Sequence, residues 1–355
     1  MPALTAAEVK AEARALGFDL CGIAPAGDLP ELDFLTEWLG RGYGGEMQYL
    51  HRSAERRLDV RQVLASARSV IVLGTLYNVD RPYSTEAPDR ARADIARYAW
   101  GDDYHDLIGR RLQRLTDWLR TRIGNCLEAR AYVDTGPVQE RVYAKHGGLG
   151  WIGKNTCLIN AEQGSWFFLA EIISNIDLPP DQPALDQCGK CTLCLDACPT
   201  GALVAPHVLD STRCLSYLTI ELKTSIPEPI RDAIESHAYG CDVCQEVCPW
   251  NWRASETAEL AWLPRPGLDG ARLVDLWRRT DDELRVLLKG SAMKRAGVRR
   301  FRRNLAVALG NSGDPEAAAA LIEMSEPTCQ DALVAEHVDW ALRKLGVDRT
   351  DPTPT

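Results

Sequence analysis

Eight cysteines are spaced as thiolate ligands for polynuclear iron. One run reads Cys188-x2-Cys191-x2-Cys194-x3-Cys198-Pro199, a second reads Cys241-x2-Cys244-x3-Cys248-Pro249, and Cys214 lies between them. The first is the spacing of a bacterial cubane site, including the proline after the last cysteine. In two-cluster proteins the last cysteine of such a run ligates the other cluster. Cys188, Cys191 and Cys194 closed by Cys248 then make one ligand set, and Cys241 and Cys244 closed by Cys198 and Cys214 make the other. Each proline ends its run, because it has no N–H and a fixed φ. Structural zinc also uses Cys-x2-Cys pairs, but it leaves the Cys-x3-Cys-Pro ends unexplained. Two [4Fe-4S] clusters move single electrons and do little else, so the rest of the chain must hold whatever receives them. Cys21, Cys126, Cys157 and Cys329 are scattered and read as small buried apolar residues.

Four other stretches carry candidate chemistry. Asp134 ends an apolar strand and precedes Thr135-Gly136-Pro137, a common position for a catalytic carboxylate and equally for a helix N-cap. Residues 147–155, Gly-Gly-Leu-Gly-Trp-Ile-Gly-Lys-Asn, let a ligand approach the backbone, but they match neither a dinucleotide fingerprint nor a Walker A loop. Asp103 and His105 could shuttle protons or simply cap a helix. The match to Asp-x-His-x-x-Gly, by which some proteins ligate cobalamin, is one residue too long at Asp103-x-His105-x3-Gly109, so no histidine ligand to cobalt is expected. Lys294, Arg295, Arg299, Arg300, Arg302 and Arg303 make a basic run in a chain of net charge −9. Such a run is either a phosphate-backbone contact or a solvated helix face.

These residues need a scaffold, and 355 residues suffice for two or three domains. Thr5-Ala-Ala-Glu8 opens a helix that Gly17 closes. Strands are expected over 18–24, 69–76, 129–133 and 165–173, and helices over 104–123 and 137–146, the latter with Pro137 first. Residues 1–177 therefore form an α/β or α+β layer. Prolines after Asp177 mark a linker to a ferredoxin-like domain over 178–255. The remainder, 256–355, reads as HEAT-like helices over 299–309, 314–323 and 333–345, too few repeats to stand alone. The fold class is thus α+β. Nothing is apolar over about 18 residues, so no membrane span is expected. The N-terminus has no signal-peptide character, and reduced thiolates place the protein in the cytoplasm.

VDTGPVQER, GGLGWIGKNTCLI, CGKCTLCLDACPTGAL, RCLSYLTIE and YGCDVCQEVCPWN, in this order, resemble the epoxyqueuosine reductases over nearly the whole chain. The resemblance implies two [4Fe-4S] clusters and base-off cobalamin in an α/β cobalamin-binding domain. It implies reduction of epoxyqueuosine to queuosine at the wobble position of tRNA, with an unidentified one-electron donor; nothing in the pattern demands a dimer, so a monomer is expected. Asp134 then corresponds to the proton donor. Corrinoid contacts fall on Arg57, Arg97, Asp134, Arg141, Lys154, Asn155, Ser216, Asp242 and Val243. Lys223 faces cofactor or tRNA in this reading, and the basic run 294–303 faces tRNA. A corrinoid reductase of a small molecule, similar to the reductive dehalogenases, is the alternative; a bare electron carrier would leave the first 177 residues without a use.

Overall fold

The computed structural model describes residues 4–86, 89–268, 270–323 and 331–347. Its first segment is built on a four-stranded sheet of β1 (Leu20–Pro25), β2 (Ser69–Leu76), β3 (Ala129–Tyr132) and β4 (Phe167–Ser174), in the order β1-β2-β4-β3. Every pairing is antiparallel, so this segment is α+β rather than the α/β unit expected of a parallel sheet. Alternation of helix and strand along the chain does not reveal strand direction, which is where that expectation failed.

Side chains alternate across a strand, and β2 and β4 are apolar on both faces. Ile71, Leu73, Phe168, Ala170 and Ile172 pack on one side with Val9 and Ala13 of α1 (Ala6–Ala15) and Ile108, Leu112, Leu115 and Leu119 of α2 (Tyr104–Ile123). Val70, Val72, Phe167 and Ile173 pack on the other side with Val142, Tyr143 and Ala144 of α3 (Glu140–His146). The helix expected from Pro137 begins only at Glu140, because residues 134–139 form an irregular turn. Asp103 caps α2, accepting the His105 N–H at 3.1 Å.

Residues 188–248 hold little regular structure. The longest element is a π-helical turn over Tyr217–Glu221, just beyond Cys214. The tail is helical: α4 (Leu273–Arg278), α5 (Asp281–Leu288), α6 (Gly297–Ser312), α7 (Ala317–Glu323) and α8 (Ala332–Lys344). Helix α6 runs straight through Gly310, expected to break it, and ends at Gly313 with φ of 66°. A Cβ at Gly310 would meet Ala341 Cα at 2.9 Å, so glycine there lets α6 and α8 approach. Residues from Phe301 to Leu309 are all buried, and one apolar core runs without a break from the sheet to Trp340. Cys329 lies outside the described residues. Among those described, no helix is long and apolar enough to cross a membrane.

His337 shows how the tail is fastened. It is fully buried on α8, its Nε2 accepts the Ile226 N–H at 3.1 Å, and its Nδ1 donates to the Leu333 carbonyl at 2.7 Å. Accepting at Nε2 requires the neutral ring, and burial pushes its pKa down to about 4. The folded protein therefore binds fewer protons than the unfolded chain between about pH 6.5 and 4, and stability falls as pH drops through that window. The expected outcome is a loss on the order of 2 kcal/mol across it, and a shallower loss in His337→Gln, read from urea midpoints at each pH.

Candidate active site

Strand β3 ends at Tyr132, and Asp134 follows in the left-handed region at φ of 57°. Aspartate tolerates that conformation better than most residues, but it is held there by contacts rather than by preference. The Asp134 N–H donates to Glu140 Oε1 at 2.8 Å, and the Tyr104 hydroxyl donates to Asp134 Oδ2 at 2.8 Å. His105 stacks on Tyr104, places Nε2 3.8 Å from Asp134 Oδ2, and bonds Asp103 through Nδ1 at 2.7 Å. The Asp134 carboxyl itself is exposed, with half its side-chain surface open to solvent.

Behind this exposed acid lie two more carboxyls. Glu171 sits in the middle of β4, 1% exposed, on the face that packs against α3. Its carboxyl meets that of Glu140, and neither oxygen finds a nitrogen or hydroxyl donor. Burial, with the neighbouring acids, pushes the Glu171 pKa well up. Burial and Asp134 push Glu140 up to about 7. Arg57 faces the group from one side, half-buried, donating to Ser53 Oγ at 2.9 Å and the Val138 carbonyl at 2.8 Å.

The cysteines fall into two neighbourhoods. Cys248 lies near Cys188 and Cys194, and Cys191 is close to Cys194. Cys214 lies near Cys241 and Cys198, and Cys244 near Cys241 and Cys214. Among the described residues no three His, Cys, Asp or Glu side chains close on one point as a single metal ion requires. A cubane binds through its separated corners and fits a wider spread. Backbone N–H groups aim at the sulfurs: Ala202 at Cys198 Sγ (3.2 Å), Ser216 and Tyr217 at Cys214, Val243 at Cys241, Trp250 at Cys248. Burial pushes the Cys214 and Cys248 thiols up to about 11, so they ionise readily only against a cation such as iron. The donor set therefore suits iron–sulfur ligation. Cys157, read as an isolated apolar residue, in fact hydrogen-bonds Cys244.

Several expected corrinoid contacts line the path from these cysteines to Asp134. Asn155 is buried and donates to the Cys244 carbonyl at 3.0 Å. Arg141 is exposed, donates to the Thr156 carbonyl at 2.6 Å, and faces both Glu140 and Cys157. Ser216 contacts the Cys241 carbonyl at 3.4 Å, and Val243 is buried beside it in the same loop. Lys154 reaches the other set, donating to the Gly189 and Cys191 carbonyls at 2.7 and 2.9 Å. Asp242 accepts the Arg97 N–H at 2.5 Å, and burial raises its pKa to about 7.

Other expectations are corrected. The Arg97 guanidinium is 3% exposed, spent on the Val79 and Arg81 carbonyls and sandwiched by Tyr83, Trp100 and Trp166, so it cannot reach a cofactor. Glycines 147 and 150 serve packing: a Cβ would meet Val72 Cγ2 at 2.4 Å and the Ile159 carbonyl at 2.2 Å. Arg302 and Arg303 are 2% and 0% exposed and cannot touch tRNA. Arg303 donates to the Leu218, Leu222 and Thr224 carbonyls, and Arg302 to the Trp277 and Arg279 carbonyls and Asp281. Lys223, Lys294, Arg295 and Arg299 keep exposed side chains, the last three paired with Asp103, Glu221 and Asp331; Arg300 turns onto the Ile220 carbonyl at 2.6 Å. Tyr104, Glu140 and Glu171 were missed, although a lone carboxylate inside the apolar run 165–173 is itself a signal.

Residues 57–135 match the family model described as Epoxyqueuosine reductase QueG, DUF1730, and residues 187–251 match a 4Fe-4S double cluster binding domain. An epoxyqueuosine reductase of Xanthomonas campestris is 41% identical over 98% of this chain and 98% of its own. One of Pseudomonas aeruginosa is 42% identical over 97% of this chain and 96% of its own. A crystal structure of epoxyqueuosine reductase with an epoxyqueuosine-modified tRNA stem loop matches at a TM-score of 0.86 and 32% identity, covering 96% of this chain and 90% of that one. A Bacillus subtilis epoxyqueuosine reductase with its aspartate catalytic loop swung out of the active site matches at a TM-score of 0.86 and 31% identity over the same shares.

Because Arg303 is buried on carbonyls, its loss should act on stability rather than on any ligand. Arg303→Ala is expected to cost about 3 kcal/mol in urea unfolding by stranding three carbonyls.

Proposed function

Since the chain belongs to the epoxyqueuosine reductase family, we propose that it reduces epoxyqueuosine to queuosine at the wobble position of tRNA, the last step of queuosine biosynthesis. The observation that carries this reading is the exposed Asp134, backed by Glu140 and the buried Glu171 and joined through Arg141, Asn155 and Cys157 to the Cys198–Cys214–Cys241–Cys244 neighbourhood. In this reading an acid and an electron source stand at the two ends of that run of contacts.

In this reading Cys188, Cys191, Cys194 and Cys248 hold one [4Fe-4S] cluster, and Cys198, Cys214, Cys241 and Cys244 hold the other, nearer Asp134. Cobalamin in its base-off form would be held beside Asp134 by Arg57, Arg141, Asn155, Ser216, Asp242 and Val243. Bound there, it would supply the low-valent metal that delivers electrons to the epoxide. The reaction takes up two electrons and two protons and releases water, leaving a carbon–carbon double bond. Asp134 gives a proton to the oxygen as its bond to carbon breaks, which spares a free alkoxide. Tyr104 orients the Asp134 carboxyl by donating to Oδ2. Lys223, Lys294, Arg295 and Arg299 supply cations for the tRNA backbone, and a cytoplasmic, monomeric enzyme with a one-electron donor completes the proposal.

Anaerobically reconstituted protein is expected to retain cobalamin after desalting and to reduce epoxyqueuosine-modified tRNA. Asp134→Asn should keep its iron and its corrinoid bands while turnover falls at least roughly 100-fold, the scale of a lost general acid. Full turnover in that variant would remove Asp134 as the acid, and loss of all corrinoid on desalting would remove cobalamin.

A further inference from the structure

Glu140 and Glu171 have no place in the chemistry above, yet their arrangement is costly. Two carboxyls in contact, one of them fully buried, cannot both ionise, because like charges repel and burial disfavours the charged form. With no other donor for either Glu171 oxygen, a proton between the two is what satisfies the contact. Of the two, only Glu140 reaches outward, and its Oε1 accepts the Asp134 N–H at 2.8 Å. That hydrogen bond closes the turn in which Asp134 sits at φ of 57°.

We propose that Glu140 and Glu171 share one proton and act as positioning residues, and that the proton-sharing pair latches the Asp134 loop into the active site. The inference rests on the reading of Asp134 as the acid. The groups that face the pair are Asp134 from its loop, Arg57 from the 54–58 helix, Arg141 beside Glu140, and Tyr104 from α2. Arg57 and Arg141 favour one negative charge on the pair; Asp134 opposes a second. Losing the shared proton puts two anions in contact, drives Glu140 away from Glu171 and frees the Asp134 N–H. The raised pKa values of both glutamates agree with this sign: the proton is held at neutral pH and lost as pH rises.

The latch can be read without cofactor or substrate, by hydrogen exchange of the Asp134 amide compared between variants at equal pH. Glu140→Ala removes the acceptor and should speed exchange roughly tenfold, whereas Glu140→Gln keeps an acceptor oxygen and should restore protection. In Glu171→Gln the amide donates permanently to Glu140, so at about pH 8.5 exchange should be roughly tenfold slower than in the unaltered protein, with little difference near pH 6. The basic limb of the turnover profile should move upward in the same variant. Unchanged Asp134 exchange in Glu140→Ala, or identical pH dependence with and without Glu171→Gln, would overturn the latch. If the exchange results hold while Asp134→Asn retains turnover, the latch stands and the acid role fails.

Discussion

A segment whose thiols must stand where two clusters need them cannot also fold as a sheet or a long helix, so its backbone carbonyls have to be satisfied from outside. Buried carbonyls left bare are costly. Here side chains from the flanking segments do the work. Asn155 takes the Cys244 carbonyl and Lys154 those of Gly189 and Cys191, both from the 153–155 turn of the first segment. From the tail, Asn304 takes the Thr219 and Ala238 carbonyls, and Arg303 those of Leu218, Leu222 and Thr224. The cysteine segment is thus clamped between two scaffolds, which explains why polar residues sit in the buried heart of α6.

The same clamp explains how far the sequence could be read. Cysteine spacing is a local pattern, so the two cysteine neighbourhoods were legible. So were α2, matched at both ends, and the strands with strong apolar runs. The basic run 294–303 misled because charge normally marks solvent, while α6 is wrapped on nearly all sides and spends Arg302 and Arg303 on carbonyls. Arg97 misled in the same way. The glycines of 147–153 suggested a ligand, but their partners are Val72 and Ile159, residues far off or across a hairpin that no local pattern identifies. Glu140 and Glu171 meet across 31 positions of sequence, and only the sheet brings them together.

The site itself combines opposite electrostatic environments within one turn of chain. Asp134 is open to water, while the Glu171 carboxyl behind it is closed off from it. Such a gradient lets one acid exchange protons with solvent while Glu171 behind it stays dry. Tyr104 and His105 add a polar wall on the α2 side, and Arg57 tempers the negative charge from the other.

The unbroken apolar core bears on how the protein meets dioxygen. Iron–sulfur centres are attacked when a fluctuation exposes them, and the frequency of that fluctuation depends on how cooperatively their surroundings open. Because the tail shares its core with the sheet and grips the turn beyond Cys214, the Cys214 side of the segment opens only when much of the molecule does. The Cys191 side, exposed already, has no such cover. Oxidative damage should therefore begin at one end of the cysteine segment and spare the other.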